Sequence, residues 1–352
     1  MGRYGIGKAL EADFEGFDGA LLSVLAGKTL AVSGATGFVG SLLARLAVWA
    51  NDARGLGCGL VLCARDAEKL EALMPGLAGR GDVAVVAADF SSPCEPLSQR
   101  FDYLVHTAAI TSSKVMVERP ADVLNVSING ARWALESVRS HPGTRAVLLS
   151  SMEACGSFDV PTDAYENTMG FIDMSSVRSC YPEGKRVGEL MCLAYASQHG
   201  TDAVATRLAQ TFGAGLLPSE GRVFKQLASS ALAGEPIVLH TDGMSEGNYV
   251  YSSDALAAIL ILLAKGEAGR TYNVANEACH TTIRGMAEMV AREFGGDGCK
   301  VVVEGQDSSR FGYAEPTRMT LRSDRLRALG WEPKVDLPRA YKRLIAHLTE
   351  VG

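Results

Sequence analysis

Short apolar runs alternate with stretches of helical period along most of this chain. Lys28–Ser33, Leu60–Cys63, Val83–Ala87, Tyr103–His106, Ala146–Ser150 and Ala203–Leu208 are brief apolar runs, which predicts strands. Between them, stretches such as Asp122–Ser140 and Glu183–Gln198 repeat their apolar residues at helical spacing. Alternation of this kind predicts an α/β architecture, a doubly wound parallel sheet with helices on both faces and ligands beyond the carboxyl ends of its strands.

The rhythm changes at both ends. Ahead of the first strand, Leu10, Phe14, Phe17, Leu21, Leu22 and Leu25 are spaced for one or two helices packed on the body, so residues 1–26 read as an N-terminal helical extension. After Gln210 the pattern loosens, punctuated by Pro218, Gly221, Gly234, Pro236 and Gly243, and strand and helix pieces then continue to residue 349. Residues 27–210 are expected to form the main sheet domain, with returns near 248–275, and residues 211–352 mainly a smaller lobe for substrate.

Two constellations bring chemistry. Gly34-Ala35-Thr36-Gly37-Phe38-Val39-Gly40 lies between the first strand and the helical stretch Leu42–Val48. Glycines suit that place because the backbone must turn tightly and approach a pyrophosphate without Cβ atoms in the way, leaving helix N–H groups to hold the anion. The spacing G-x-x-G-x-x-G is one residue wider at its first gap than the standard dinucleotide fingerprint. It marks 27–210 as a Rossmann-type dinucleotide-binding domain. Downstream, Tyr181-Pro182-Glu183-Gly184-Lys185 sets a phenol and an ammonium on one face of a helix. A lysine close to a tyrosine is expected to favour the phenolate, and Pro182 and Glu183 mark the first helical turn, whose field acts the same way.

These strings, with His106-Thr107-Ala108-Ala109, Ser150-Ser151-Met152-Glu153-Ala154-Cys155-Gly156, Arg207–Gly213, Asn248–Ala255, Tyr272-Asn273-Val274 and Leu329–Pro333, stand in the order and spacing of the extended short-chain dehydrogenase/reductase family. The chain resembles its nucleotide-sugar epimerases and dehydratases from Gly27 onward. Cys180-Tyr181-Pro182-Glu183-Gly184-Lys185-Arg186-Val187 is particularly similar to the UDP-glucuronate decarboxylase subgroup.

The resemblance implies an NAD-dependent, redox-neutral enzyme working through a 4-keto sugar, with epimerisation, decarboxylation and dehydration all open. Tyr181 is the implied acid/base, Ser151 its hydrogen-bonding partner, Lys185 the residue that holds the ribose, and Glu153 a base beside the sugar. Met152 stands where dehydratases carry an acid, and a thioether donates no proton. The implied cofactor contacts are Gly34, Thr36, Gly37, Phe38, Val39, Gly40, Thr107, Ala108, Ala109, Tyr181 and Lys185, with Asp89 and Phe90 at the adenine edge. In Leu62-Cys63-Ala64-Arg65-Asp66, Arg65 suits a 2′-phosphate or the adenine and Asp66 the ribose hydroxyl, so NADP stays open beside NAD; either residue could instead cap the next helix. Gln210 replaces an asparagine that touches the phosphates, and Gly247 an arginine, so Arg222, ahead of Arg322, is expected to pair with the pyrophosphate. Ser127 replaces an asparagine. Cys155 replaces a tyrosine. Relatives commonly dimerise through two helices, here Asp122–Ser140 and Glu183–Gln198.

Bulk properties narrow the rest. With 352 residues, 47% of them apolar, the chain exceeds one compact unit. A net charge of -6 without a basic cluster argues against a nucleic-acid or anionic-membrane partner and for a small one; the resemblance implies a nucleotide-diphosphate sugar. The eight cysteines form no C-x-x-C pair, which argues for buried thiols, no metal and a cytoplasmic setting. No stretch approaches the ~20 apolar residues of a membrane span. Two other readings stay open: an NADPH-dependent reductase of a keto-sugar or other carbonyl, supported by Arg65, and a non-catalytic dinucleotide sensor, opposed by intact Ser151, Tyr181 and Lys185.

Overall fold

In the computed structural model, which describes residues 2–304 and 318–351, the six expected strands pair side by side in parallel. They are Thr29–Ser33, Gly59–Ala64, Val83–Ala87, Tyr103–His106, Arg145–Ser151 and Ala203–Leu208. A seventh, Thr271–Val274, joins the edge beside Ala203–Leu208, and from there the sheet runs through Arg145–Ser151, Tyr103–His106 and Thr29–Ser33 to Gly59–Ala64 and Val83–Ala87. The winding reverses between Thr29–Ser33 and Tyr103–His106, which opens a crevice at the strands' carboxyl ends. The glycine turn and the Thr107–Ala109 segment both sit there.

Helix Phe38–Arg54 buries Leu42, Leu43, Leu46 and Ala47 against the sheet and stops at Gly55, in the left-handed conformation. On the opposite face, helices Pro120–Ser140 and Cys180–His199 pack on one another. Their approach is close because Gly184 faces Ser127, where a Cβ would meet the serine Cβ at 2.9 Å. Among the C-terminal residues, Phe212, Phe224, Leu227, Tyr249, Met286, Val290 and Tyr341 form a second apolar cluster.

Residues 8–25 fold as two helical pieces and a short 3-10 turn, with Leu10, Phe14, Phe17, Leu22 and Leu25 buried. The Phe14 ring lies 5.8 Å from that of Trp49 on the Phe38–Arg54 helix. Burial of such side chains, at about 1.5–3 kcal/mol each, is ample reason for the extension to stay docked. All eight cysteines are free, and Cys94 alone of them is not buried. Among the described residues, no group of three metal-ligating side chains converges, and no helix is long and apolar enough to cross a membrane.

Candidate active site

Strand Arg145–Ser151 ends at Ser151, whose hydroxyl accepts a hydrogen bond from the Glu153 N–H at 3.2 Å and turns the chain into a single 3-10 turn, Met152–Cys155. Helix Cys180–His199 begins at Cys180, so Tyr181 lies in its first turn and Lys185 one turn later. Ser151 hydrogen-bonds the Tyr181 hydroxyl, and the Lys185 ammonium lies 5.8 Å from the centroid of the phenol ring. The three residues separated in sequence by up to 34 positions thus meet at one point. Arg186 ties the helix to the turn by donating to the carbonyls of Ala154, at 2.8 Å, and Gly170, at 2.9 Å.

The electrostatics correct one expectation. Burial pushes the Tyr181 phenol up to about 12 and the Glu153 carboxylate pushes the same way; the Ser151 hydrogen bond and the charges of Arg222 and Arg178 oppose them. The Lys185 ammonium donates instead to the Leu149 carbonyl at 2.7 Å. Burial lowers Lys185 itself to about 8, against the pull of Glu189. Desolvation outweighs the nearby charges because Cys180, Tyr181 and Lys185 at the helix start are all buried.

Two ion pairs around this centre escaped the sequence reading. Glu153 is not a free base: Arg178 pairs with it at 2.9 Å, with the guanidinium carbon 6.0 Å from the centroid of the Tyr181 ring. Behind Lys185, Glu189 pairs with Arg207 at 2.7 Å and accepts from Ser150 at 2.5 Å, both charged side chains being nearly fully buried. Signals existed for both. Arg207 is a lone charge in an otherwise apolar strand, so it needed a buried anion, and Arg178 lies three residues before the phenol on the same approach. A cavity of about 20 Å³, room for one water, adjoins Lys185, Glu189, Ser150, Ser127 and His106.

The glycine turn is packed too tightly to admit side chains. Gly34 has φ +70 and a Cβ there would meet the Ala108 N at 2.7 Å; at Gly40 it would meet the Gly34 carbonyl oxygen at 2.4 Å and Thr107 Oγ1 at 2.8 Å. Gly37 caps the Phe38–Arg54 helix, with Thr36, Phe38 and Val39 half-buried around it. The result is a bare backbone cradle facing Thr107, Ala108 and Ala109, with free helix N–H groups. Thr107 fixes its own place by donating to the Ser33 carbonyl at 2.7 Å.

Other expected contacts fall differently. Phe90 is buried with its ring against Trp133 and His106, centroids 5.0 and 5.5 Å away, so it is a core residue and its side chain offers nothing to an adenine. Asp89 is exposed and accepts from the Ser91 N–H. Asp66 caps the helix Ala67–Leu73 by accepting from the Lys69 N–H at 2.9 Å, whereas Arg65 is exposed at the strand end. Ser127 turns its hydroxyl to the Val123 carbonyl. Met152 is buried in the main core. Both arginines expected at a pyrophosphate are ion-paired, Arg222 with Glu220 at 2.5 Å and Arg322 with Asp324 at 3.4 Å, and Arg222 is the one whose charge lowers the phenol. Gln210 opens a short strand in register with Tyr249.

Residues 30–275 match the family described as NAD dependent epimerase/dehydratase. The chain belongs to that family. It is 28% identical over 252 residues to a UDP-glucuronic acid decarboxylase 1 of Xenopus tropicalis, an alignment covering 71% of this chain and 58% of that protein. The chain therefore matches less than two thirds of that relative's length. In fold it is similar to an epimerase of Methanothermobacter thermautotrophicus, with a TM-score of 0.76 at 20% identity over 97% of this chain and 96% of the other. The UDP-glucose 4-epimerase of Thermotoga maritima follows closely, at a TM-score of 0.73 and 20% identity over 92% and 99% of the two chains.

Proposed function

We propose that this chain is a redox-neutral, NAD-dependent enzyme that acts on a nucleotide-diphosphate sugar through a 4-keto intermediate. The observation that carries the reading is the meeting of Ser151, Tyr181 and Lys185 beside the glycine cradle. A bound nicotinamide ring would supply the hydride acceptor, and later the donor. Tyr181 Oη takes the proton of the sugar hydroxyl, O4, while the Ser151 hydroxyl hydrogen-bonds the same oxygen. Lys185 holds the ribose and keeps positive charge near the phenolate. Arg222 pairs with the diphosphate, where a planar fork matches phosphate oxygens.

Among the branches open to a 4-ketone, loss of carbon dioxide has the most support. The Xenopus tropicalis relative named above is a UDP-glucuronic acid decarboxylase, and position 152 holds a core thioether in place of an acid that would expel water. In that branch the bond from C5 to the carboxylate breaks, its electron pair passes into the ketone as an enolate, and C5 then takes a proton. Glu153, held by Arg178, stands beside this centre, where it would relay to C5 a proton taken from water. Incubation with UDP-, dTDP-, GDP- and CDP-sugars, read by mass, tests the proposal: loss of carbon dioxide from a uronate is the expected result, loss of water or an isomer of unchanged mass shifts the branch, and no product from any sugar defeats it.

Arg65 favours a second reading, a reductase using a cofactor with a 2′-phosphate, since it is exposed at the strand end while Asp66 is engaged as a cap. Steady NADPH oxidation with a keto-sugar would select it; binding without turnover would leave the sensor. The helix Cys180–His199 also exposes Leu190 and Leu193, at 64% and 53%, an apolar strip that a second copy would cover in a homodimer. Sedimentation tests that.

A further inference from the structure

The N-terminal extension and the loop that carries Arg222 meet at a buried carboxylate. Asp13, on helix Lys8–Glu15, has its side chain 1% exposed, accepts from the Tyr251 hydroxyl at 2.6 Å and pairs with Arg343 at 2.8 Å. The same Tyr251 oxygen accepts from the Ala214 N–H at 3.2 Å. Ala214 lies at the start of the loop that leaves strand Gln210–Phe212 and ends at Arg222, the N-cap of helix Val223–Ala233.

Further contacts hold this loop against the same elements. A Cβ on Gly213 would meet the Tyr251 ring at 2.7 Å, and one on Gly215 would meet Leu42 at 2.6 Å and Leu10 at 3.3 Å. The Leu216 carbonyl lies 3.3 Å from His347 Nε2. Leu42 belongs to the helix that the glycine cradle opens, and Leu10 to the extension, so the loop is seated between them. A helix that needed only to pack would be better served by an apolar residue than by Asp13. Burial raises this carboxyl to about 6 despite its two partners, so its ionisation is costly there.

We propose that the extension is a brace and that Asp13 is a positioning residue, acting through Tyr251 and the Ala214 N–H to fix the loop that presents Arg222 to the substrate diphosphate. The proposal rests on the reading of Arg222 given under the proposed function.

The test uses the full-length, NAD-loaded protein titrated calorimetrically with UDP, dTDP, GDP and CDP. Native protein is compared with Asp13→Ala, Tyr251→Phe, Arg222→Ala and the Asp13→Ala/Arg222→Ala pair, and bound NAD confirms that each is folded. Asp13→Ala and Tyr251→Phe should each weaken the tightest nucleoside diphosphate by about 5–10-fold, leave NAD affinity unchanged and raise KM while kcat holds. In the Arg222→Ala background, Asp13→Ala should add nothing, since both act through one contact. Unchanged diphosphate affinity in either single variant, an equal loss for NAD, or additive losses in the double variant overturn the brace. If Arg222→Ala binds normally, the reading of Arg222 fails and the brace falls with it; if Arg222→Ala weakens binding and Asp13→Ala does not, the brace alone falls.

Discussion

The carboxylate of Glu153 and the guanidinium of Arg178 lie 2.9 Å apart beside the ring of Tyr181. Each charge acts on the phenol, Glu153 raising its pKa and Arg178 lowering it less strongly, so the pair partly offsets where the proton moves. Neither residue can be altered without unmasking the other.

That balance predicts opposite single effects and a compensating double. Activity that needs the phenolate rises with pH as Tyr181 ionises, so Arg178→Ala should move the acid limb of the kcat profile to higher pH, and Glu153→Gln should move it to lower pH by the larger amount. Glu153→Gln/Arg178→Ala should return near the native limb. Identical limbs in all four proteins would exclude the coupling.

Lys185 predicts a trade between stability and turnover. Its folded pKa, about 8, lies below the ordinary 10.5, so the unfolded chain binds the proton more tightly. The ligand-free protein should therefore gain stability as pH rises from about 8 to 10.5, and below 8 it carries the whole cost of the buried ammonium, on the order of 3 kcal/mol. Lys185→Met removes that cost and loses one hydrogen bond to the Leu149 carbonyl, about 1 kcal/mol. Thermal melts of the ligand-free protein at pH 7 should rise by a few degrees, the gap closing near pH 10, while turnover falls at least ~100-fold.

Gly34→Ala tests the cradle. The new methyl would stand 2.7 Å from the Ala108 N with the backbone at φ +70, so the turn must move or strain, at about 1–3 kcal/mol. Protein purified with this change should carry no NAD by absorbance while keeping its far-ultraviolet spectrum. Retention of stoichiometric NAD would show that the backbone approach is not what holds the cofactor.

Tyr181→Phe tests the acid/base assignment most directly. The ring keeps its packing against Met116 and Val123, so folding and NAD binding should be unchanged while kcat falls by ~10²–10⁴. Native turnover in this variant would remove Tyr181 from the chemistry.

Much of this was legible along the chain. Val83–Ala87, Tyr103–His106 and Ala203–Leu208 have the bounds expected from their apolar runs, and the strand expected over Ala146–Ser150 runs one residue further at each end. The buried positions of the extension were also readable from Leu10, Phe14 and Leu22. Where the Phe90 ring lies was not readable, because an apolar residue after an exposed aspartate looks the same in sequence whether its ring meets a ligand or, as here, Trp133. Arg178, Glu189 and Asp13 were missed because their partners lie 25, 18 and 330 residues away.

By itself, then, the order of residues determined what is local: which segments become strands or helices, where glycine permits a tight turn, and that a phenol and an ammonium share a helix face. Tertiary structure alone decided which charges face one another and how deeply they are buried. Those two quantities set a pKa, since desolvation and Coulomb interactions depend on distances through space that sequence separation does not contain. For this reason the sequence could place Tyr181 and Lys185 together but could not tell that burial governs the phenol, or that Arg178 pairs with Glu153 beside it.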